Sequence, residues 1–63
     1  MKIEKIIKEA EEIEIISGEG EQGTVEDYKG KRSERAIKMR LTRERCDGDR
    51  WAFARINGER YDF

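Results

Sequence analysis

A chain of 63 residues, 46% charged and 35% hydrophobic, has room for one small domain near the lower size limit for independent folding. The net charge is −1, histidine is absent and Cys46 is the sole cysteine, which excludes an intramolecular disulfide and the usual zinc-site combinations. No apolar run approaches the ~20 residues of a membrane span, and the N-terminus has no signal-peptide core, so the expected setting is a reducing cytoplasm, with neither secretion nor membrane insertion.

In chain order, Ile3, Ile6, Ile7, Ala10 and Ile13 fall at helical spacing over residues 2–12, with Glu4–Lys8 and Lys5–Glu9 as i,i+4 pairs. An amphipathic helix follows from this spacing, while the β-branched isoleucines keep an extended strand open as the alternative. Ile13-Glu14-Ile15 alternates, so strand character is expected from about Ile13 to Ser17. Gly18, Gly20 and Gly23 then predict a flexible loop over 18–23. Thr24-x-x-Asp27 has the form of a capping box, predicting a short helix from Val25 to about Arg35, although its apolar stripe is thin and Gly30 weakens it. Ile37, Met39 and Leu41 alternate with Lys38, Arg40 and Thr42, which predicts a half-buried strand to about Arg45.

Two turns set the register of the C-terminal half. Ile56-Asn57-Gly58-Glu59 is a two-residue hairpin signal, because Asn and Gly tolerate the positive φ of a type I′ turn. Opposing Ile56 to Glu59 places Ala54 across from Tyr61 and Ala52 across from Phe63. A second turn at Cys46-Asp47-Gly48-Asp49, with Asp47-Gly48 as its tip, would oppose Leu41 to Ala54 and Met39 to Ile56. The expected fold is therefore one α+β domain spanning 1–63. It has an antiparallel sheet of four or five strands, including a C-terminal three-stranded meander, with one or two short helices. Ile37, Met39, Leu41, Ala52, Ala54, Ile56, Tyr61 and Phe63 would line the inner side. Lys38, Arg40, Thr42, Glu44, Trp51, Phe53, Arg55, Arg60 and Asp62 would line the outer side.

Charge is unevenly distributed. Residues 1–27 hold three lysines against nine acids, and residues 28–63 hold 11 basic against six acidic groups. The basic half suggests an anionic partner and the acidic half a basic one, unless the two neutralise each other on folding. The most specific functional signal is the expected outer face, where Trp51 and Phe53 stand among Lys38, Arg40, Arg55 and Arg60. Exposed aromatics between cations are how sheet platforms hold single-stranded nucleic acid. The competing reading covers Trp51 and Phe53 with the N-terminal isoleucines and leaves the cations as a solvated rim.

Catalysis finds little support in the residues. General acid/base chemistry without histidine would need carboxylates of shifted pKa, and these cluster in segments that read as solvated. Cys46 has no histidine partner and reads as a packing residue. Glu19, Glu21, Glu26 and Asp27 lack the spacing of a calcium loop. Gly18-x-Gly20-x-x-Gly23 has the spacing of a dinucleotide fingerprint, but its acids would repel phosphate and the chain is too short for that fold. No metal or cofactor is expected.

Met1-Lys2 followed by Ile6-Ile7-Lys8-Glu9 and Ile13, together with Trp51-x-x-x-Arg55-x-Asn57-Gly58-Glu59-Arg60-Tyr61, resembles the pattern of the small phage anti-CRISPR proteins that bind the type I-F Cascade complex. The similarity lies in the two ends of the chain. It implies a compact sheet-plus-helix protein, with a strand at its N-terminus, that blocks target DNA by occupying Cascade's backbone subunits. The expectation is a non-enzymatic inhibitor of a protein or ribonucleoprotein complex; the candidate binding residues, Lys38, Arg40, Trp51, Phe53, Arg55 and Arg60, come from the expected outer face and not from the resemblance. A small single-stranded nucleic-acid-binding module is the alternative.

Overall fold

The computed structural model describes residues 2–46 and 48–63; Met1 and Asp47, hence the tip of the expected second turn, lie outside them. The first helix, α1 (Ile3–Glu9), follows the isoleucine spacing, with Ile7 fully buried and Ile3 and Ile6 packed at the margin of the core. It is a helix and not the strand the family resemblance implies. Strand β1 (Ile13–Glu19) then turns directly into β2 (Gln22–Asp27).

The expected loop over 18–23 is thus a hairpin. Glu19 pairs with Gln22 around Gly20-Glu21, and Gly20 takes φ +62° at the first central position, as a type II′ turn requires. Nor does the expected helix from Val25 to Arg35 form. Thr24 and Val25 are β-branched, and β1 offers them a pairing edge, with Ser17 opposite Thr24 and Ile16 opposite Val25.

The expected strand over 37–45 is likewise corrected: Glu34–Arg45 is helix α2. Ser33, in extended conformation, accepts a hydrogen bond from the Ala36 N–H, and Arg43 and Arg45 fall in the last turn, where the helix dipole favours cations. Ile37 and Leu41, four residues apart, are both fully buried, whereas Met39, expected inward, is 58% exposed. Arg32 and Glu4 tie the two helices together. The Arg32 guanidinium donates to the Ile7 and Ala10 carbonyls at the end of α1, and the Glu4 carboxylate accepts from the Glu34 N–H, 3.0 Å away, at the start of α2.

Strands β3 (Arg50–Ile56) and β4 (Glu59–Tyr61) complete a four-stranded antiparallel sheet in the order β2-β1-β3-β4. The C-terminal hairpin has the expected register, Ile56 opposite Glu59 and Ala54 opposite Tyr61, with Asn57 and Gly58 both at positive φ. The ladder stops there, so Ala52 and Phe63 do not pair within it. On its other side β3 meets β1, Ile13 opposite Ile56 and Ile15 opposite Ala54, so the third member of this antiparallel group comes from the N-terminal half. The Asn57 side-chain oxygen also accepts from the N–H groups of Glu11 and Glu12 at 3.0 and 3.2 Å, fixing the chain as it enters β1.

Both helices lie on one side of the sheet. Ile7, Ala10, Ile37 and Leu41 pack there against Ile13, Ile15, Ala52, Ala54 and Ile56. At α2's C-terminal end the Arg45 guanidinium donates to the carbonyls of Ala52 and Phe63, which holds the C-terminal residues against the domain. No described helix is long and apolar enough to cross a membrane.

Candidate partner-binding site

Because both helices cover the inner face, the outer face of the sheet is open. Strand alternation places Glu14, Ile16 and Gly18 of β1 there, beside Asp27, Val25 and Gly23 of β2 and Arg55, Phe53 and Trp51 of β3. The N-terminal isoleucines pack on the opposite side, so they do not cover the aromatics.

Glycine at two opposed positions shapes this surface. A Cβ added at Gly18 would lie 2.7 Å from the Trp51 ring and one at Gly23 2.6 Å from it. The indole therefore lies across the Gly18–Gly23 pair, in the trough left by two absent side chains. Its Nε1–H donates to the Gly20 carbonyl at 2.8 Å, fixing the ring to the turn. Phe53, two residues along the strand, stacks beside it with ring centroids 6.0 Å apart and planes 14° from parallel. Ile16 is only 7% exposed beneath these neighbours, while Val25 on the edge strand is 54% exposed. The result is an apolar patch of exposed Val25 and half-buried Phe53 and Trp51 over the buried Ile16, with a polar row at one end.

The cations of that row are already engaged. Arg55 faces Glu14 directly across the ladder and donates to it at 2.8 Å; this hydrogen bond holds its guanidinium pKa above the ordinary value. Arg60, paired with Arg55 on the ladder, turns to Asp62 at 3.0 Å and places its guanidinium carbon 4.1 Å from the Phe53 ring centroid. One side of the Phe53 ring is thereby occupied. With Glu14, Asp27 and Asp62 set against Arg55 and Arg60, the face has no surplus of positive charge.

Of the six residues expected to bind, Trp51, Phe53, Arg55 and Arg60 share this surface and Lys38 and Arg40 do not. The latter two are on α2, in the other layer. Arg40 bridges Glu26 at 2.8 Å and Glu44 at 2.9 Å, and the hydrogen bonds to Glu26 and then Glu44 raise its pKa. It is a tie between α2 and β2. Lys38 pairs with Glu34 at 3.6 Å, one helical turn away.

Sequence reasoning missed Val25, Ile16, Gly18 and Gly23, with Glu14 and Asp27, as parts of the face. Gly18 and Gly23 sit symmetrically about Gly20-Glu21, and that symmetry is the signal of an opposed pair in a two-residue hairpin. Among the described residues no group of three or more Cys, Asp or Glu side chains is placed to hold a metal ion. Compared with known proteins, the chain matches no family model, no curated protein and no solved structure.

Proposed function

We propose that this protein is a non-enzymatic binding protein that docks on a protein or ribonucleoprotein complex through the open face of its sheet. Inhibition of a CRISPR effector in the cytoplasm, the function implied by the family resemblance, is the sharpest form of this reading. The observation that carries it is the stacked, half-buried pair of Phe53 and the immobilised Trp51 beside the exposed Val25, bordered by ion pairs. Rigid aromatics around a dry centre, with a polar rim, are the anatomy of a protein–protein interface. Binding of single-stranded nucleic acid would instead need free cations for phosphate and free ring faces for bases. Here Arg55 and Arg60 have carboxylate partners, and Arg60 occupies one side of Phe53.

The test is capture of purified type I-F Cascade by the immobilised protein. Phe53→Ala and Val25→Glu should each weaken capture by about 30-fold or more, the loss typical of an interface hot spot. Val25 is exposed on an edge strand, so Val25→Glu should stay folded, which circular dichroism checks. Failure of the wild-type protein to capture Cascade would remove the CRISPR form of the proposal. Salt-sensitive binding of single-stranded DNA or RNA, lost in Phe53→Ala, would replace the protein-docking reading with the nucleic-acid one.

A further inference from the structure

We propose that the solvent face of α2 is a second docking surface, on the opposite side of the molecule, for an acidic protein segment that carries one large apolar residue. Arg35, Lys38, Met39, Thr42 and Arg43 recur at helical spacing and form one stripe without an acid in it. Met39 stands at its centre and, with Val25, is one of the exposed large hydrophobic residues. Arg35 and Arg43 have no carboxylate partner among the described residues, and Lys38 has only the 3.6 Å contact to Glu34.

Beside Met39 an open groove of about 450 Å³ runs between α2 and the segment that leads into it, and its lining includes Tyr28, Lys31, Ala36 and Arg43. Tyr28 is fixed there by its hydroxyl, which donates to the Lys31 carbonyl. Glu44 also borders the groove and shares Arg40, 2.9 Å away, with Glu26. Glu4 and Glu34 border Met39 on its other side, so around it the cations Lys31, Arg35, Lys38, Arg40 and Arg43 stand against the acids Glu4, Glu34 and Glu44, and the balance is positive.

Charge complementarity selects an anionic occupant, and Met39, which lines the groove with Tyr28, selects one with an apolar anchor. Methionine and arginine are enriched in protein interfaces, where the flexible thioether adapts to a partner's side chain. A nucleic-acid backbone would use the cations and leave Met39 unmatched. A long polyanion would also meet the carboxylates that border the stripe, Glu4, Glu34 and Glu44. A short acidic segment touches the stripe alone.

The experiment uses three fluorescein-labelled probes with the intact protein. They are a Glu-rich peptide with one central Leu, the same peptide with Ser in place of that Leu, and a short DNA duplex. The Leu peptide should bind about tenfold more tightly than the Ser peptide, the discrimination that burying a leucine side chain provides. Met39→Ala should erase that preference, and Arg35→Glu combined with Arg43→Glu should abolish binding of both peptides. Val25→Glu, on the sheet face, should change neither, so this result stands or falls separately from docking through the sheet. Equal binding of the Leu and Ser peptides would reduce the stripe to simple ion exchange and overturn the proposal. Tighter binding of the duplex, lost in the same double variant, would overturn it in favour of a nucleic-acid surface. Absence of binding to all three probes would overturn it outright.

Discussion

Leu41→Ala is expected to unfold most of the protein at room temperature, whereas Met39→Ala should leave its melting temperature nearly unchanged. On an α-helix, residues two apart point about 200° away from each other, and here Leu41 is 0% exposed and Met39 58%. Truncating a fully buried leucine costs about 2–5 kcal/mol, comparable with the whole stability of a domain this small. Truncating an exposed methionine in a helix changes stability by about 0.5 kcal/mol or less, and alanine's helix propensity offsets part of that. Were 37–45 a strand, both side chains would face the core and both variants would be destabilised alike. Thermal melts followed by circular dichroism separate the two cases.

The second large effect is expected at Gly18. A Cβ there would meet the Gln22 carbonyl oxygen, the Gly23 Cα at 2.6 Å and the Trp51 ring at 2.7 Å, so two of its three nearest neighbours are backbone. Gly18→Ala should therefore cost about 1–3 kcal/mol or more through overpacking, and adding Trp51→Ala should not restore the loss. Gly23→Ala differs, because its closest contacts are indole carbons at 2.6 and 3.0 Å, with the Ser17 carbonyl oxygen at 3.1 Å. Adding Trp51→Ala should recover much of that loss in a double-mutant cycle. Urea melts of the four variants measure both couplings. Full rescue of Gly18→Ala by Trp51→Ala would show that the trough is set by the indole and not by the close approach of the two strands. Since Gly23→Ala displaces the indole without touching a partner directly, it should also weaken docking on the sheet face.

How far the fold could be read from the sequence depended on how many structures each pattern satisfied. Ile3, Ile6 and Ile7 fit a helix face, though their β-branching left a strand open, and Asn57-Gly58 fits one turn type with one register, so the C-terminal hairpin was legible down to the Ile56–Glu59 and Ala54–Tyr61 pairs. Ile37, Met39 and Leu41 were not, because Ile37 and Leu41 lie four apart and satisfy a strand and a helix equally. The deciding residues are Ser33, which caps the helix, and Met39, which the helix turns outward. Strand β2 is exposed at every position, so it has no alternation to read and exists through its pairing with β1. The site divided accordingly. Trp51, Phe53, Arg55 and Arg60 stayed together because one hairpin carries them, while Lys38 and Arg40 left with the segment that became α2. The role of Gly18 and Gly23 as the bed for Trp51 emerged only once the two strands were paired.

Docking through the sheet face is tested most directly at Trp51, the single tryptophan of the chain. Protein labelled with 5-fluorotryptophan gives one fluorine resonance from that face, which can be followed while purified Cascade and, separately, single-stranded oligonucleotides are added at low and physiological salt. Docking on a protein surface predicts that Cascade shifts or broadens the resonance at both salt concentrations and that oligonucleotides leave it in place. A resonance unmoved by bound Cascade would contradict docking through this face, as would one moved only by oligonucleotides and released as salt rises.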